Sequence, residues 1–252
     1  MIVHNSHFSI FYSTLINDGS FFSGFSTKIV GDGRNIQTIL RFLNFNKILY
    51  KKIIVLGQIH SINIYFYNEK NNLEIQKIDD VDGVITNQKN TVLIVRNADC
   101  LPIIFVDKHR GLIGISHQGW RGTLKKMSIK MIDSFVDRGS KKEHIRIALG
   151  PAIGACCYNI TDDRYYEFMS EFHRYEDRIF HFEQGRRHLN LSVLNYLQLQ
   201  DAGIEKSQID FFPFCTQCDK KRFFSFRRSQ NKRDKGDVFG DMFSFITFKL
   251  GG

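Results

Sequence analysis

The sequence predicts an α+β fold: mixed β-sheets with helices packed on their faces, in a single domain over residues 1–252. Three observations lead there. Apolar runs of strand length recur along the whole chain, several separated only by short polar turns. Helical spacing appears between them at irregular intervals, so a strict βαβ succession is absent and a purely parallel sheet is disfavoured. Finally, no Pro/Gly/Ser-rich linker divides the chain, and it holds only three prolines.

In order, His7–Leu15 reads as a strand, and Asn35–Phe45 carries Ile36, Ile39, Leu40 and Leu43 at helical spacing. Ile53–Gly57, Ile62–Tyr67, Val81–Thr86 and Thr91–Arg96 follow as strands. Leu101–Val106 and Leu112–Ser116, joined by the polar turn Asp107–Gly111, form a hairpin-like pair. Leu124–Val136 places Leu124, Met127, Met131, Ile132 and Phe135 on one helical face, and Gly139 stops it. Ile145–Leu149 is a strand leading into the small-residue loop Gly150–Tyr158. Helices are predicted at Asp162–Phe172 and Asn190–Gln200, and late strands at Ile209–Phe212, Arg222–Phe226 and Met242–Phe248. The run Lys220–Arg228 alternates basic and aromatic residues, read as a strand with Phe inward and Arg outward.

The hairpin organises the chemistry. A chain that climbs one strand and descends the next returns close to its start, so Cys100 and His117 can lie side by side. His60 also ends an apolar run, and if its strand is a neighbour, three ligands converge with a fourth position open, as catalytic zinc requires. The same trio allows a thiolate nucleophile with an imidazole base. Asp99 can take or give a proton in such a pocket. Lys28, Arg121, Arg227 and Arg228 are cations at loop or strand ends, suited to a phosphate-bearing substrate. Gly119 and Gly122 bracket Trp120 and Arg121, where backbone can approach a ligand.

Composition narrows the class. Hydrophobic content of 42% and charged content of 24% are ordinary for a globular protein. No apolar run approaches the ~18 residues of a membrane span, and the N-terminus lacks a basic region and a cleavage site. Five cysteines, an odd number without framework spacing, suit a reducing cytoplasm. The formal charge of +9 is concentrated between Lys220 and Lys235, with eight Lys or Arg against one Asp. Nucleic acid is therefore a less favoured partner than a small anionic substrate. Cys215-Thr216-Gln217-Cys218 is a lone C-x-x-C; Cys156 and Cys157 are adjacent, a poor geometry for sharing a site, so the motif reads as incidental.

Several short motifs occur together: Gly24-Phe25-Ser26-Thr27-Lys28, Gln58-Ile59-His60, Ala98-Asp99-Cys100-Leu101-Pro102-Ile103, His117-Gln118-Gly119-Trp120-Arg121-Gly122, Gly150-Pro151-Ala152-Ile153-Gly154 with Cys157-Tyr158, Cys215-Thr216, and Phe223-Phe224-Ser225-Phe226-Arg227-Arg228. In that order they resemble the laccase-domain, polyphenol-oxidase-like family, regarded as purine nucleoside phosphorylases. The resemblance implies Zn2+ on His60, Cys100 and His117, with copper the alternative. It implies purine nucleosides and inorganic phosphate as substrates: adenosine, inosine, guanosine and methylthioadenosine converted to base and ribose 1-phosphate, with adenosine deaminase activity beside it. The fold implied is like a toxin deamidase with a Cys–His pair. Apart from the resemblance, a monomer or weak homo-oligomer is expected. A copper-dependent polyphenol oxidase, or a Cys–His hydrolase acting in peptidoglycan fidelity, is the alternative. Lys28, Gln118 and Phe226 depart from the Arg, Ala and Tyr usual in that family.

Overall fold

The computed structural model describes residues 1–69, 73–230 and 238–249. Two mixed sheets carry the architecture. The first has seven strands in the order Ile2–Asn5, Ile10–Ser13, Phe21–Ser26, Met242–Phe248, Thr91–Asn97, Lys52–Leu56 and Ile75–Ile78. The second has six, in the order Ile209–Phe211, Ile145–Leu149, Leu101–Asp107, Leu112–Gln118, Gly83–Thr86 and Ile64–Tyr67. Most neighbours are antiparallel; Lys52–Leu56 runs parallel to both its partners.

Alternation along the strands sorts the core into layers. Leu93 and Val95 of the first sheet share one cluster with Ile104, Val106, Ile113 and Ile115 of the second, between the sheets. Their sequence neighbours Val92 and Ile94 turn the other way, onto Ile39, Phe42 and Leu43 of helix Ile36–Phe45. Ile103 and Phe105 likewise meet Met127, Met131 and Phe135 of helix Met127–Val136. The order is helix, sheet, sheet, helix. A smaller three-stranded sheet, Asn159–Ile160, Arg186–Leu189 and Phe180–Glu183, packs with helix Asp162–Phe172 beside this body.

The predicted α+β class with helices on mixed sheets is what the chain adopts. Three local expectations differ. The first strand is a hairpin, Ile2–Asn5 with Ile10–Ser13, turned at Ser9, whose φ is 52°. The helix expected from Leu124 to Val136 is two, Trp120–Leu124 and Met127–Val136, broken where Lys126 takes a left-handed φ of 60°. Arg222–Phe226 is not a strand. Phe223 and Phe224 are buried in a loop, Ser225 caps the short helix Phe226–Ser229, and Arg228 turns inward. The basic residues Lys232, Arg233 and Lys235 lie outside the described residues.

Candidate active site

The hairpin register decides where two of the three candidate ligands fall. His117 lies opposite Pro102 and Gln118 opposite Leu101, so Cys100, one residue before the strand, meets His117 at the sheet end. His60 arrives in the loop that leaves the first sheet at Leu56 and enters the second at Ile64. The ligating atoms of His60, Cys100 and His117 lie within 4.8 Å of one another. Cys100 Sγ is 3.7 Å from His60 Nε2, close to the roughly 3.5 Å that tetrahedral Zn–S and Zn–N bonds impose.

One buried carboxylate builds this corner. Asp82, fully buried ahead of strand Gly83–Thr86, accepts the backbone N–H groups of Ile59, His60 and Ser61 and the Ser61 hydroxyl. Those bonds hold His60 at a φ of 62°, an uncommon conformation for a residue with a side chain. Asp82 also meets His117 Nδ1 at 2.9 Å, which leaves Nε2 to face Cys100 and His60. A carboxylate behind a ligating imidazole is the usual support of a metal site. The donor set therefore fits a metal ion: two imidazoles, one of them oriented by a carboxylate, and one thiol.

Electrostatics primes the thiol. Burial opposes charge on Cys100, but the His117 and His60 imidazoles outweigh it and lower the thiol to about 6. Burial also opposes charge on His117, where Cys100 and Asp82 prevail and raise the imidazole to about 9. Between those values the metal-free pair is thiolate and imidazolium. Alkylation of Cys100 in metal-free protein, followed by mass spectrometry of its peptide, is expected to have its midpoint near pH 6. A midpoint near the ~8.5 of an ordinary thiol would contradict this electrostatic account.

A cavity of about 420 Å³ opens onto the trio, within the roughly 300–1,000 Å³ of small-molecule sites. Trp120, Phe226 and Phe239 supply aromatic surface, and Arg96, Arg164 and Arg227 supply cations. The guanidinium of Arg164 stacks 4.0 Å from the Trp120 ring. The Nε atoms of Arg96 and Arg164 are buried with no hydrogen-bond partner among the described residues. Asp241 also lines the cavity, and burial raises its carboxyl above the usual range, Arg96 and Arg34 pulling the other way.

The expected anion-binding cations separate. Arg227 reaches the cavity, though its guanidinium contacts Asn159. Arg228 is 1% exposed and donates to the carbonyls of Thr216, Gln217 and Phe223, so it holds a loop and does not face the cavity. Arg121 is exposed, its guanidinium 4.5 Å from the centre of the Trp120 ring, and neither it nor Lys28, whose backbone N–H bonds to Arg222 O, is among the residues that line the cavity. Asp99 lines the cavity at a φ of 86°, yet Thr216 and Ser225 hydroxyls and the Arg227 N–H engage both its oxygens. Sequence reasoning missed Asp82, Arg96, Arg164 and Asp241. Only Asp82 carried a signal: an acid set between Val81 and the apolar run Gly83–Thr86.

Residues 25–249 match the sequence model of the family described as multi-copper polyphenol oxidoreductase laccase. The chain belongs to that family. This laccase-family chain is 34% identical over 170 residues to purine nucleoside phosphorylase YlmD of Bacillus subtilis, a span of 67% of this chain and 59% of the relative. It therefore covers less than two thirds of that relative's length. It is 28% identical over 182 residues to adenosine deaminase RL5 of an unknown prokaryotic organism, covering 70% of each. The crystal structure of YlmD from Geobacillus stearothermophilus superposes with a TM-score of 0.83 at 25% identity, covering 98% of both chains.

Proposed function

We propose that this protein is a zinc-dependent purine nucleoside phosphorylase with adenosine deaminase activity at the same site. The observation that carries the reading is the convergence of His60, Cys100 and His117 at one end of a cavity walled by aromatic rings and arginines. The names of the relatives, a purine nucleoside phosphorylase and an adenosine deaminase, support the same substrate class. Bound by the two imidazoles and the thiolate, zinc supplies a Lewis acid that polarises an oxygen and lowers the pKa of a water or hydroxyl.

The chain's own side chains do the rest. Phe226 and Phe239 offer aromatic surface for a purine ring, as aromatic platforms do for bases, whereas Trp120 is already stacked against the Arg164 and Arg121 guanidiniums. Arg164 and Arg96, each with an unpartnered Nε, hold the phosphate against the ribose. This role passes to them from Lys28, Arg121 and Arg228, which lie off the cavity. Of the two cavity carboxyls, Asp241 is the better proton carrier, because both Asp99 oxygens are already engaged, one by the Thr216 hydroxyl and the other by the Ser225 hydroxyl and the Arg227 N–H. Asp99 instead fixes Arg227 and its loop against the site.

Adenosine incubated with and without phosphate, and resolved by chromatography, tests the reading. Adenine with ribose 1-phosphate is expected only with phosphate, and inosine in both samples. Arg164→Ala is expected to raise the KM for phosphate at least about tenfold, as loss of a charged hydrogen bond worth ~1.5–3 kcal/mol predicts. Deamination should be far less affected, and Arg121→Ala should change neither. Equal effects of the two substitutions on phosphate KM would refute the assignment.

A further inference from the structure

A second group of ligating side chains lies apart from the trio. Cys156, Cys157, Cys215 and Cys218 come from two distant segments, yet their four sulfurs lie within 4.8 Å of one another. Cys218 Sγ is 3.5 Å from Cys156 Sγ and 3.3 Å from Cys157 Sγ. Four thiolates on one zinc ion at Zn–S bonds of ~2.3 Å stand about 3.8 Å apart, so the cluster needs shifts of only tenths of an ångström there.

Local backbone explains how adjacent cysteines can share one centre. Cys157 and Tyr158 both donate their N–H groups to Gly154 O, closing a turn that brings Cys156 and Cys157 toward the same neighbours. The second segment is docked on the first by a β-bridge between Ala152 and Cys215 and by Thr216 N–H to Ala152 O at 3.0 Å. Gly154 N–H of the first segment donates to Cys215 Sγ of the second at 3.1 Å, a bond that a thiolate ligand accepts. A Cβ on Gly154 would stand 3.0 Å from Cys215 Cβ and 3.3 Å from Cys156 Sγ, so glycine keeps the centre open.

We infer that these four cysteines form a second, structural metal site that takes one tetrahedral divalent cation, zinc by the softness and number of its donors. Binding exchanges four thiol protons for the cation and leaves a net charge of −2, and Lys220 and Lys221 line the surface beside Cys215 and Cys218. All four sulfurs are committed, so no position is left for a reactant. The centre clips together the two loops that form one wall of the cavity. One brings Ile153 and Tyr158 to it, and the other carries Thr216, Ser225 and Arg227, which hold Asp99.

Elemental analysis of the full chain, purified under reductant, tests the site without reference to nucleoside turnover. Two zinc ions per chain are expected, falling to one in Cys218→Ser and to one in Cys100→Ala. Zinc lost only with Cys218→Ser would still support this centre while removing metal from the trio, so the two readings fail separately. If the serine variant does not fold, Cys100→Ala loaded with cobalt serves instead. Intense thiolate-to-cobalt charge-transfer bands are expected there, since the four remaining cysteines all belong to this cluster. A Cys218→Ser chain that holds as much zinc as wild type overturns the proposal. So do fewer than five titratable thiols in protein denatured with chelator and without reductant, which would mean disulfides.

Discussion

Asp82→Asn is expected to weaken metal binding by about 10–100-fold, the usual cost of removing a carboxylate behind a ligating imidazole. The reason is specific to this corner. Asp82 accepts from three consecutive backbone N–H groups, from the Ser61 hydroxyl and from His117 Nδ1. An amide of the same shape turns an NH2 toward at least one of those donors. His60 then loses what holds it at a left-handed φ, and His117 loses what selects Nε2 for the metal. One substitution at a residue outside the ligand set therefore disturbs two of the ligands. Competition with a chromophoric chelator reads the change, and an affinity equal to wild type would remove Asp82 from the account.

Gly119→Ala is expected to cost at least as much, through space alone. Gly119 has a φ of −80°, which any residue adopts, so alanine meets no backbone penalty. Its Cβ would sit 2.8 Å from His60 Cδ2 and 3.0 Å from Cys100 Sγ. Something must move, and what moves are two of the three donors. Metal content and turnover should fall together, at least about tenfold, while thermal unfolding of the metal-free chain changes little. A variant that binds zinc as tightly as wild type would show that the donors do not share one ion.

What was legible in the sequence follows from how local each cause is. A tight hairpin forces its two ends together, so the meeting of Cys100 and His117 could be read from the turn Asp107–Gly111 alone. Helix Ile36–Phe45 was legible because one face is buried and the other is wet. The split into two sheets was not. Strands such as Thr91–Asn97 are covered on both faces, so their composition does not reveal which sheet they join. Charge also misled: Arg228 and Arg121 look alike in sequence, yet one holds three carbonyls in the interior and the other lies on the surface. Arg96 and Arg164 were passed over because nothing beside them marks a cavity. The pair Cys156-Cys157 read as poor ligand geometry, whereas a turn around Gly154 gathers both with Cys215 and Cys218.

The central claim is that His60, Cys100 and His117 jointly hold the ion on which purine release depends. Its most direct test is zinc add-back to metal-free protein, with phosphate-dependent release of adenine from adenosine as the readout. Wild type should be inactive without metal and recover fully on zinc addition, and Cys100→Ala should stay inactive at every zinc concentration. Metal-free protein that releases adenine at the full rate, or a Cys100→Ala chain as active as wild type, would contradict it.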